Sequence, residues 1–187
     1  VGLRYHFNPM KNYTRKIDPD YQPPVRPQFV KHSTPPVEKT DELHLFVAGA
    51  GKTTNKQIYD GPTYFAGTIA LDYTHRYSHI ARWGGGFDFF FDSSLRERLE
   101  DTGDPQFNEL MQLGVHVGNE LLITRIHFIT QMGYYLYNRS YKGAWYLRFN
   151  LRVLVTDSFG IQGGLKTLNG GAADFIEWGL YYRLWKK

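Results

Sequence analysis

The chain has 187 residues, no cysteine and a formal charge of +4, from 22 Lys and Arg against 18 Asp and Glu. Without cysteines, disulfides and thiolate metal sites within the chain are excluded. The basic residues are interleaved with apolar ones along predicted strands, which argues against a nucleic-acid-binding patch. Mean hydropathy is -0.46 and no apolar run approaches the roughly 18 residues of a membrane helix. A barrel of membrane-spanning strands would give the same average, because every second residue faces a polar interior.

The first part of the chain combines a short strand pattern with a proline-rich stretch. Residues 1–8 alternate apolar and polar side chains, which predicts a strand. Residues 9–41 carry prolines and charges without a sustained period, which predicts an extended segment with no packed core. The chain does not start with Met, so we interpret Val1 as a processed end or as a point inside a longer protein. In the second case, 1–8 would end a missing upstream half.

Eight further segments alternate with the period of two that is typical of strands. In the clearest of them, 143–156, Trp145 and Phe149 share an apolar face while Arg148 and Arg152 share the other. That apolar face is long enough for a membrane-spanning strand of roughly 9 to 11 residues. The eight predicted strands are 42–50, 63–74, 80–92, 110–121, 125–137, 143–156, 159–167 and 174–185.

The connections between these strands differ in length. Those near 75–79, 122–125 and 156–158 are short, whereas those at 51–62, 92–109, 138–143 and 168–173 are mostly longer. Outer-membrane barrels place short turns in the periplasm and longer loops outside. We therefore expect the C-terminus and the segment 9–41 to be periplasmic. Ser94 and Glu97 form a capping-box pattern, which predicts a short helical turn in one long connection.

These patterns predict an all-β fold, an antiparallel transmembrane β-barrel with about eight strands in 42–185 and one extra N-terminal strand. Bacterial barrels prefer even strand numbers, so either 42–187 closes alone or strands upstream of Val1 complete a larger barrel. A soluble lipocalin-like carrier is an alternative that predicts an apolar interior and a polar exterior. Large aromatic residues are expected to form girdles at the membrane interfaces: Trp83, Tyr134, Trp145, Trp178 and Tyr182.

The hexamer 49–54, Gly-Ala-Gly-Lys-Thr-Thr, imitates a phosphate-binding loop. It lacks the first glycine of that motif, since Phe46 stands there, and no helical pattern follows it. We therefore interpret it as the tip of a loop rather than as a nucleotide site.

Three short runs give a family resemblance. They are 175–179 (Phe-Ile-Glu-Trp-Gly), 164–167 (Gly-Leu-Lys-Thr) and 131–135 (Gln-Met-Gly-Tyr-Tyr). In these runs, and over roughly 42–185, the chain resembles the PagL-like acyloxyacyl hydrolase (lipid A deacylase-related) outer-membrane proteins of Bacteroidota, either as a whole member or as the C-terminal half of a longer one. The resemblance implies an outer-membrane barrel acting on acyl chains of lipopolysaccharide through a His-x-Ser-Asn signature with an acidic partner. No His-x-Ser occurs in this sequence, and Leu168 stands where the histidine is expected.

Glu177 is the position that matches the acidic partner in that resemblance, so it is the candidate catalytic residue. The structural alternative is that Glu177 pairs with an inward arginine such as Arg152 or Arg183. Serines 93, 94, 140 and 158 lie in turns or loops with no histidine fixed beside them, so none is favoured as a nucleophile. Inward charged side chains are expected to form a structural network in the barrel interior, lined by Arg82, Asp88, Arg125, His127, Arg148, Arg152 and Arg183 together with Glu177.

Two functions follow from the sequence. The first is an outer-membrane barrel related to lipid A deacylases, which would be an enzyme only with residues beyond those of this chain. The second is a non-catalytic structural or accessory barrel of an envelope complex. Both place the protein in the bacterial outer membrane, in contact with the lipid bilayer and lipopolysaccharide and with outer-membrane or periplasmic protein partners. His44, His116 and His127 are scattered over different strands, so no metal site is expected, and neither a cofactor nor a nucleic-acid partner is predicted.

Overall fold

Eight antiparallel strands close into a barrel. The computed structural model describes residues 35–53, 62–96, 106–139 and 143–187. Each strand pairs with its neighbours in chain order, and β8 closes the barrel against β1. The strands are β1 Asp41–Thr53, β2 Thr63–Ser78, β3 Ala81–Asp92, β4 Met111–Ile123, β5 Ile126–Asn138, β6 Trp145–Leu154, β7 Phe159–Leu168 and β8 Ala172–Lys186. The prediction of an all-β antiparallel barrel with eight strands is therefore confirmed.

The barrel closes within the described residues, without any strand from upstream. The strand predicted at 1–8 and most of the segment 9–41 lie outside the described residues. The only regular helical element of three or more residues in the described ranges is a 3-10 turn at Phe107–Glu109. No helix among those residues is both long and apolar enough to cross a membrane. Leu95 and Arg96 are helical, but the predicted partner Glu97 lies outside the described ranges.

Alternation along each strand separates two environments. Inward positions are mainly polar or charged, as in β1, where Glu42 and His44 are buried, whereas outward positions such as Val47 are exposed. This is the reverse of the distribution that a soluble lipocalin-like carrier predicts. The exposed outward side chains form an apolar belt around the barrel, which includes Val47, Ile69, Leu71, Phe87, Val117, Phe128, Met132, Phe149, Leu151, Ile161, Ile176 and Leu180.

The interpretation of 49–54 as a loop tip is wrong for residues 49–53, because β1 continues to Thr53. Gly49 pairs with Gly67 of β2, and Lys52 continues the inward alternation. The ring of Phe65 covers both glycines from outside, at 3.1 and 3.2 Å from the positions that their Cβ atoms would occupy. An aromatic ring over glycines shields the exposed backbone and allows strand pairing to continue through residues of low strand propensity.

Inside the barrel, one aromatic cluster occupies space that glycines leave free. The Tyr146 side chain lies where side chains at Gly114 and Gly133 would otherwise be, and an alanine at either position would overlap it. Tyr146 packs edge-on against Phe90, with 5.3 Å between ring centroids, and 4.8 Å from Tyr135. Small residues on β4 and β5 therefore admit a large one from β6, which is how the interior of a small barrel reaches high packing density.

Candidate functional site

The interior of the barrel contains three groups of charged side chains. We call them, from the end with short turns to the end with longer connections, the short-turn cluster, the central cluster and the loop-end cluster. The short-turn cluster consists of Glu42, Arg82, Glu120, His127 and Arg152; the central cluster of Asp72, Asp88, His116, Arg148 and Glu177; and the loop-end cluster of Lys52, Asp92, Lys166 and Asp174. All three combine acidic and basic groups, as buried charges require.

The central cluster is organised by Arg148, whose side chain is fully buried. Its Nη1 donates to Asp88 Oδ1 at 2.8 Å, while its Nε and Nη2 donate to Glu177 Oε1 at 3.0 and 2.6 Å. The second oxygen of Glu177 accepts from Thr68 Oγ1 at 2.7 Å. Asp88 also accepts a hydrogen bond from the Tyr146 hydroxyl. One guanidinium therefore holds two carboxylates, which in turn bind hydroxyl groups of other strands.

His116 joins this cluster between two carboxylates. Its Nδ1 lies 2.6 Å from Asp88 Oδ2 and its Nε2 lies 2.7 Å from Asp72 Oδ1. The Nε2 atom of His116 also lies 2.9 Å from Gln131 Nε2. His116 thus connects the carboxylates of Asp72 and Asp88, on β2 and β3, from its position on β4.

The short-turn cluster links five strands. Arg82 forms a two-pronged ion pair with Glu42, with N···O distances of 2.9 and 2.8 Å. Glu120 Oε1 accepts from Arg152 Nη1 at 2.9 Å and lies 2.7 Å from His127 Nδ1. Bidentate pairing fixes the guanidinium plane as well as its charge. The cluster therefore fixes the relative positions of the strands near their short-turn ends.

The loop-end cluster surrounds Lys166, which is fully buried. Its Nζ donates to Asp174 Oδ2 at 2.9 Å and lies 4.3 Å from the ring centre of Phe90 and 4.9 Å from that of Phe175. Lys52 Nζ is held by the same Asp174, and it also donates to Asp92 at 3.0 Å. Aromatic faces and carboxylates together compensate the lost hydration of the ammonium group.

The room left in the interior is small. A cavity of about 20 Å³ lies between the short-turn and central clusters, lined in part by Asp72, Thr74, Arg82 and Glu120. That volume holds about one water molecule. This cavity is therefore too small for a solute or an acyl chain, as expected for a small barrel whose interior holds side chains.

Glu177 lies in the centre of this network and is fully buried. The expectation that it pairs with an inward arginine holds, but its partner is Arg148 rather than Arg152 or Arg183. Arg152 instead pairs with Glu120, and Arg183 lies 3.5 Å from Glu42. Arg148 and Thr68 engage both oxygens of Glu177. That Glu177 orients a catalytic base stays a prediction, because no such base contacts it among the described residues.

Most other members of the predicted network do line the interior. Five of them are buried there: Arg82, Asp88, His127, Arg148 and Arg152. Arg183 is partly buried at the short-turn end of the barrel interior. The placement of Arg125 is a correction. Arg125 is exposed in the turn between β4 and β5, because β5 begins only at Ile126 and Thr124 turns the chain with φ of 56°. Alternation assigns faces only within a strand, so it does not apply to a turn residue.

The prediction named too few acids for the network. The predicted network contains Asp88 and Glu177 as its acids, whereas the structure adds Glu42, Asp72 and Glu120. It contains no residue of the loop-end cluster. A requirement for charge balance would have indicated these residues, because a buried guanidinium without a carboxylate is costly.

A hydroxyl group close to a histidine would be a possible nucleophile. Ser93 donates to the Phe65 carbonyl and Ser94 to Asp92, so neither hydroxyl contacts a histidine. Ser158 has none beside it in the described residues either, and Ser140 lies outside them. In the described ranges, His44 contacts two hydroxyl groups, since its Nε2 lies 2.8 Å from Thr74 Oγ1 and its Nδ1 lies 2.5 Å from the Tyr181 hydroxyl, but His44 is completely buried.

Sequence reasoning missed one outward-facing pair at the barrel rim. His75 Nδ1 lies 2.7 Å from Asp41 Oδ1, and both side chains are about one-third exposed. The two residues are cross-strand partners of β1 and β2, so the sheet itself brings them together. The described residues contain no group of three or more His, Cys, Asp or Glu side chains arranged to bind a metal ion.

Comparison with known proteins adds a family match. The model of the family described as "Acyloxyacyl hydrolase, C-terminal domain" matches residues 41–187, from the first residue of β1 to the last residue of the chain. No curated protein matches. Among solved structures, the solution NMR structure of de novo designed TMB2.3 is similar, with a TM-score of 0.44 and 15% sequence identity, over 78% of this chain and 96% of that chain.

Proposed function

Because the chain belongs to the family of acyloxyacyl hydrolase C-terminal domains, we propose that it is the outer-membrane barrel of a hydrolase for acyl esters of lipopolysaccharide. In this proposal, the barrel is embedded in lipid, and the hydrolytic groups come from residues outside those described above. The observation that carries it is the closed barrel with an apolar belt outside and a paired polar network inside. A water-exposed protein would hide such a belt rather than present it.

The orientation in the membrane follows from the turns. Residues 79–80, 124–125 and 155–158 form short connections at one end of the barrel. Outer-membrane barrels place such turns in the periplasm. The opposite end, which carries the loop-end cluster, then faces the outer leaflet, where lipopolysaccharide resides. A hydrolytic group acting on that substrate belongs at the loop end.

The proposal assigns the hydrolytic chemistry to residues outside the described ranges. Ester hydrolysis by a serine needs a base within hydrogen-bonding distance of the hydroxyl and a group that orients the base. Within the described ranges no serine hydroxyl contacts a histidine, and Glu177 is occupied by Arg148 and Thr68. This same occupation favours a second candidate function, a non-catalytic accessory barrel that anchors partner proteins in the outer membrane.

Mass spectrometry of lipid A from cells with and without the full-length protein separates the two functions. Loss of an acyl chain only in its presence is expected for the hydrolase. Unchanged acylation would remove the hydrolase and leave the accessory barrel. Fractionation tests the membrane assignment, since the protein should stay in the outer-membrane fraction until detergent is added. A protein that remains soluble after detergent removal would contradict membrane insertion.

A further inference from the structure

Basic side chains that are exposed or partly exposed surround the barrel at its short-turn end. Arg76 lies near the end of β2, where its guanidinium donates to the carbonyls of Ser78 and His79 at 3.2 and 2.7 Å. Arg125 is exposed in the turn between β4 and β5. Lys186 ends β8 and Lys187 follows it, both exposed. We call these four residues, Arg76, Arg125, Lys186 and Lys187, the basic rim.

The basic rim is distributed around the barrel rather than gathered at one point. In a closed eight-strand barrel, the β4–β5 turn lies opposite the junction of β8 with β1, and the β2–β3 turn lies between them. The C-terminal side of the rim is held in place by the backbone, because Asp41 and Lys187 exchange hydrogen bonds of 3.0 and 2.9 Å. All four residues of the basic rim therefore lie at the short-turn ends of strands or in a turn between them.

Acidic groups offset these charges only in part. Among the described residues, none of the four basic side chains forms an ion pair within 4.0 Å of a carboxylate oxygen. The exposed or partly exposed acidic side chains at this end are Glu38, Asp41, which pairs with His75, and Asp157, whereas the exposed Lys39 adds a fifth basic group to the four of the basic rim. The clusters in the interior pair most of their charges among themselves, so they contribute little to the rim. Basic side chains therefore outnumber acidic ones at the exposed short-turn end, five to three.

Aromatic side chains next to the rim mark the height of a membrane interface. Trp83, Tyr77, Tyr182 and Trp185 are about half exposed on the outer face of the strands that end there. Tryptophan and tyrosine prefer the headgroup level of a bilayer because one part of the side chain is apolar and the other polar. Basic groups just beyond them lie at the level of lipid phosphates.

We propose that the basic rim binds the phosphate groups of anionic glycerophospholipids in the leaflet that faces the short turns. This inference rests on the proposed function only in requiring that the barrel spans a membrane. Lysines and arginines near an anionic surface each strengthen binding by about fivefold. The rim would thereby collect anionic lipids around the barrel and fix its depth in the leaflet opposite lipopolysaccharide.

The test measures lipid preference of the barrel in bilayers. The full chain is reconstituted in zwitterionic phosphatidylcholine vesicles that contain brominated lipid, and the quenching of its tryptophans is followed as brominated lipid is replaced by phosphatidylglycerol. We expect a clear preference for phosphatidylglycerol in the wild type. The triple variant R125Q/K186Q/K187Q should lose most of this preference, because each basic group strengthens binding to an anionic surface by about fivefold, and added salt should weaken the preference of the wild type.

A matched control removes positive charge at the other end of the barrel. Arg139 is exposed beyond the end of β5, where it pairs with Glu109, and R139Q should keep the preference for phosphatidylglycerol. The inference is overturned if the triple variant keeps the full preference for phosphatidylglycerol, or if the wild type shows none. Either result leaves the membrane insertion of the barrel uncontradicted. Failure of the wild type to insert into phosphatidylcholine vesicles at all would instead contradict the membrane assignment.

Discussion

Removal of Arg148 should destabilise the barrel more than loss of any exposed charge. In the variant Arg148→Met, the side-chain volume is nearly kept, but Glu177 loses two charge-assisted hydrogen bonds of 3.0 and 2.6 Å and Asp88 loses one of 2.8 Å. Asp88 retains His116 at 2.6 Å and the Tyr146 hydroxyl, whereas among the described residues Glu177 retains only the Thr68 hydroxyl at 2.7 Å. Breaking a buried ion pair from one side typically costs about 3 to 5 kcal/mol.

The cost is expected to arise mainly from the stranded charge of Glu177. The double variant Arg148→Met/Glu177→Gln removes that charge and should recover at least half of the lost stability. Urea titration of the refolded barrel in lipid vesicles, followed by tryptophan fluorescence, measures the free energy of unfolding. Arg125→Met is the matched control, because Arg125 is exposed in a turn, and should change stability by less than about 0.5 kcal/mol.

Two results would refute this reasoning. If Arg148→Met changes the free energy of unfolding by less than about 1 kcal/mol, the guanidinium is not needed to hold its carboxylates in the interior. If the double variant is as unstable as the single one, the loss comes from altered packing around the substituted side chain rather than from an unpaired charge.

Two further predictions concern the packing inside the barrel and its outer face. Gly133→Ala should lower the free energy of unfolding by about 1 to 3 kcal/mol, because the added Cβ would overlap the Tyr146 ring. Gly171→Ala is the control and should leave stability unchanged, because open space surrounds that position. Equal effects of the two variants in the same urea titration would contradict the packing of Tyr146 against Gly133. Leu151→Arg should cost about 2 to 4 kcal/mol if the outer face of β6 meets the bilayer core, whereas Val155→Arg, in the turn after β6, should cost at most about 1 kcal/mol. Leu151 is exposed within β6 and Val155 is exposed just after its end, so equal, negligible costs in vesicles would argue against a lipid-facing belt.

The fold could be predicted to a large extent because alternation is a local property. In β6, the apolar side chains of Trp145 and Phe149 and the arginines 148 and 152 separate to opposite faces as expected. The limits of the prediction lie at the strand ends. Gly49 to Thr53 continue β1 by pairing with β2, where the Phe65 ring covers Gly49 and its partner Gly67, and a contact between strands is not visible in one segment. The prediction that Arg125 faces the interior is wrong for a related reason. Alternation of apolar and polar residues does not reveal where a strand ends and a turn begins.

The network was harder to predict than the strands. Alternation identifies Arg148 and Glu177 as inward, but their pairing depends on the stagger between β6, β7 and β8, which the sequence does not state. The acids of the short-turn cluster could have been inferred, because inward arginines without partners are too costly to bury. Catalytic residues were not found by either route within the described residues, since Glu177 contacts Arg148 and Thr68 rather than a base.

The central cluster also constrains the order in which the protein assembles. Its members come from β2, β3, β4, β6 and β8, so no single hairpin contains a complete set of partners. Before the first and last strands meet, Asp88, Arg148 and Glu177 have incomplete partners and must remain hydrated, because dehydration of unpaired charges is costly. Water should therefore leave the interior only as the barrel closes, which makes closure and desolvation one cooperative event. A partly inserted chain would stay open and wet until β8 reaches β1.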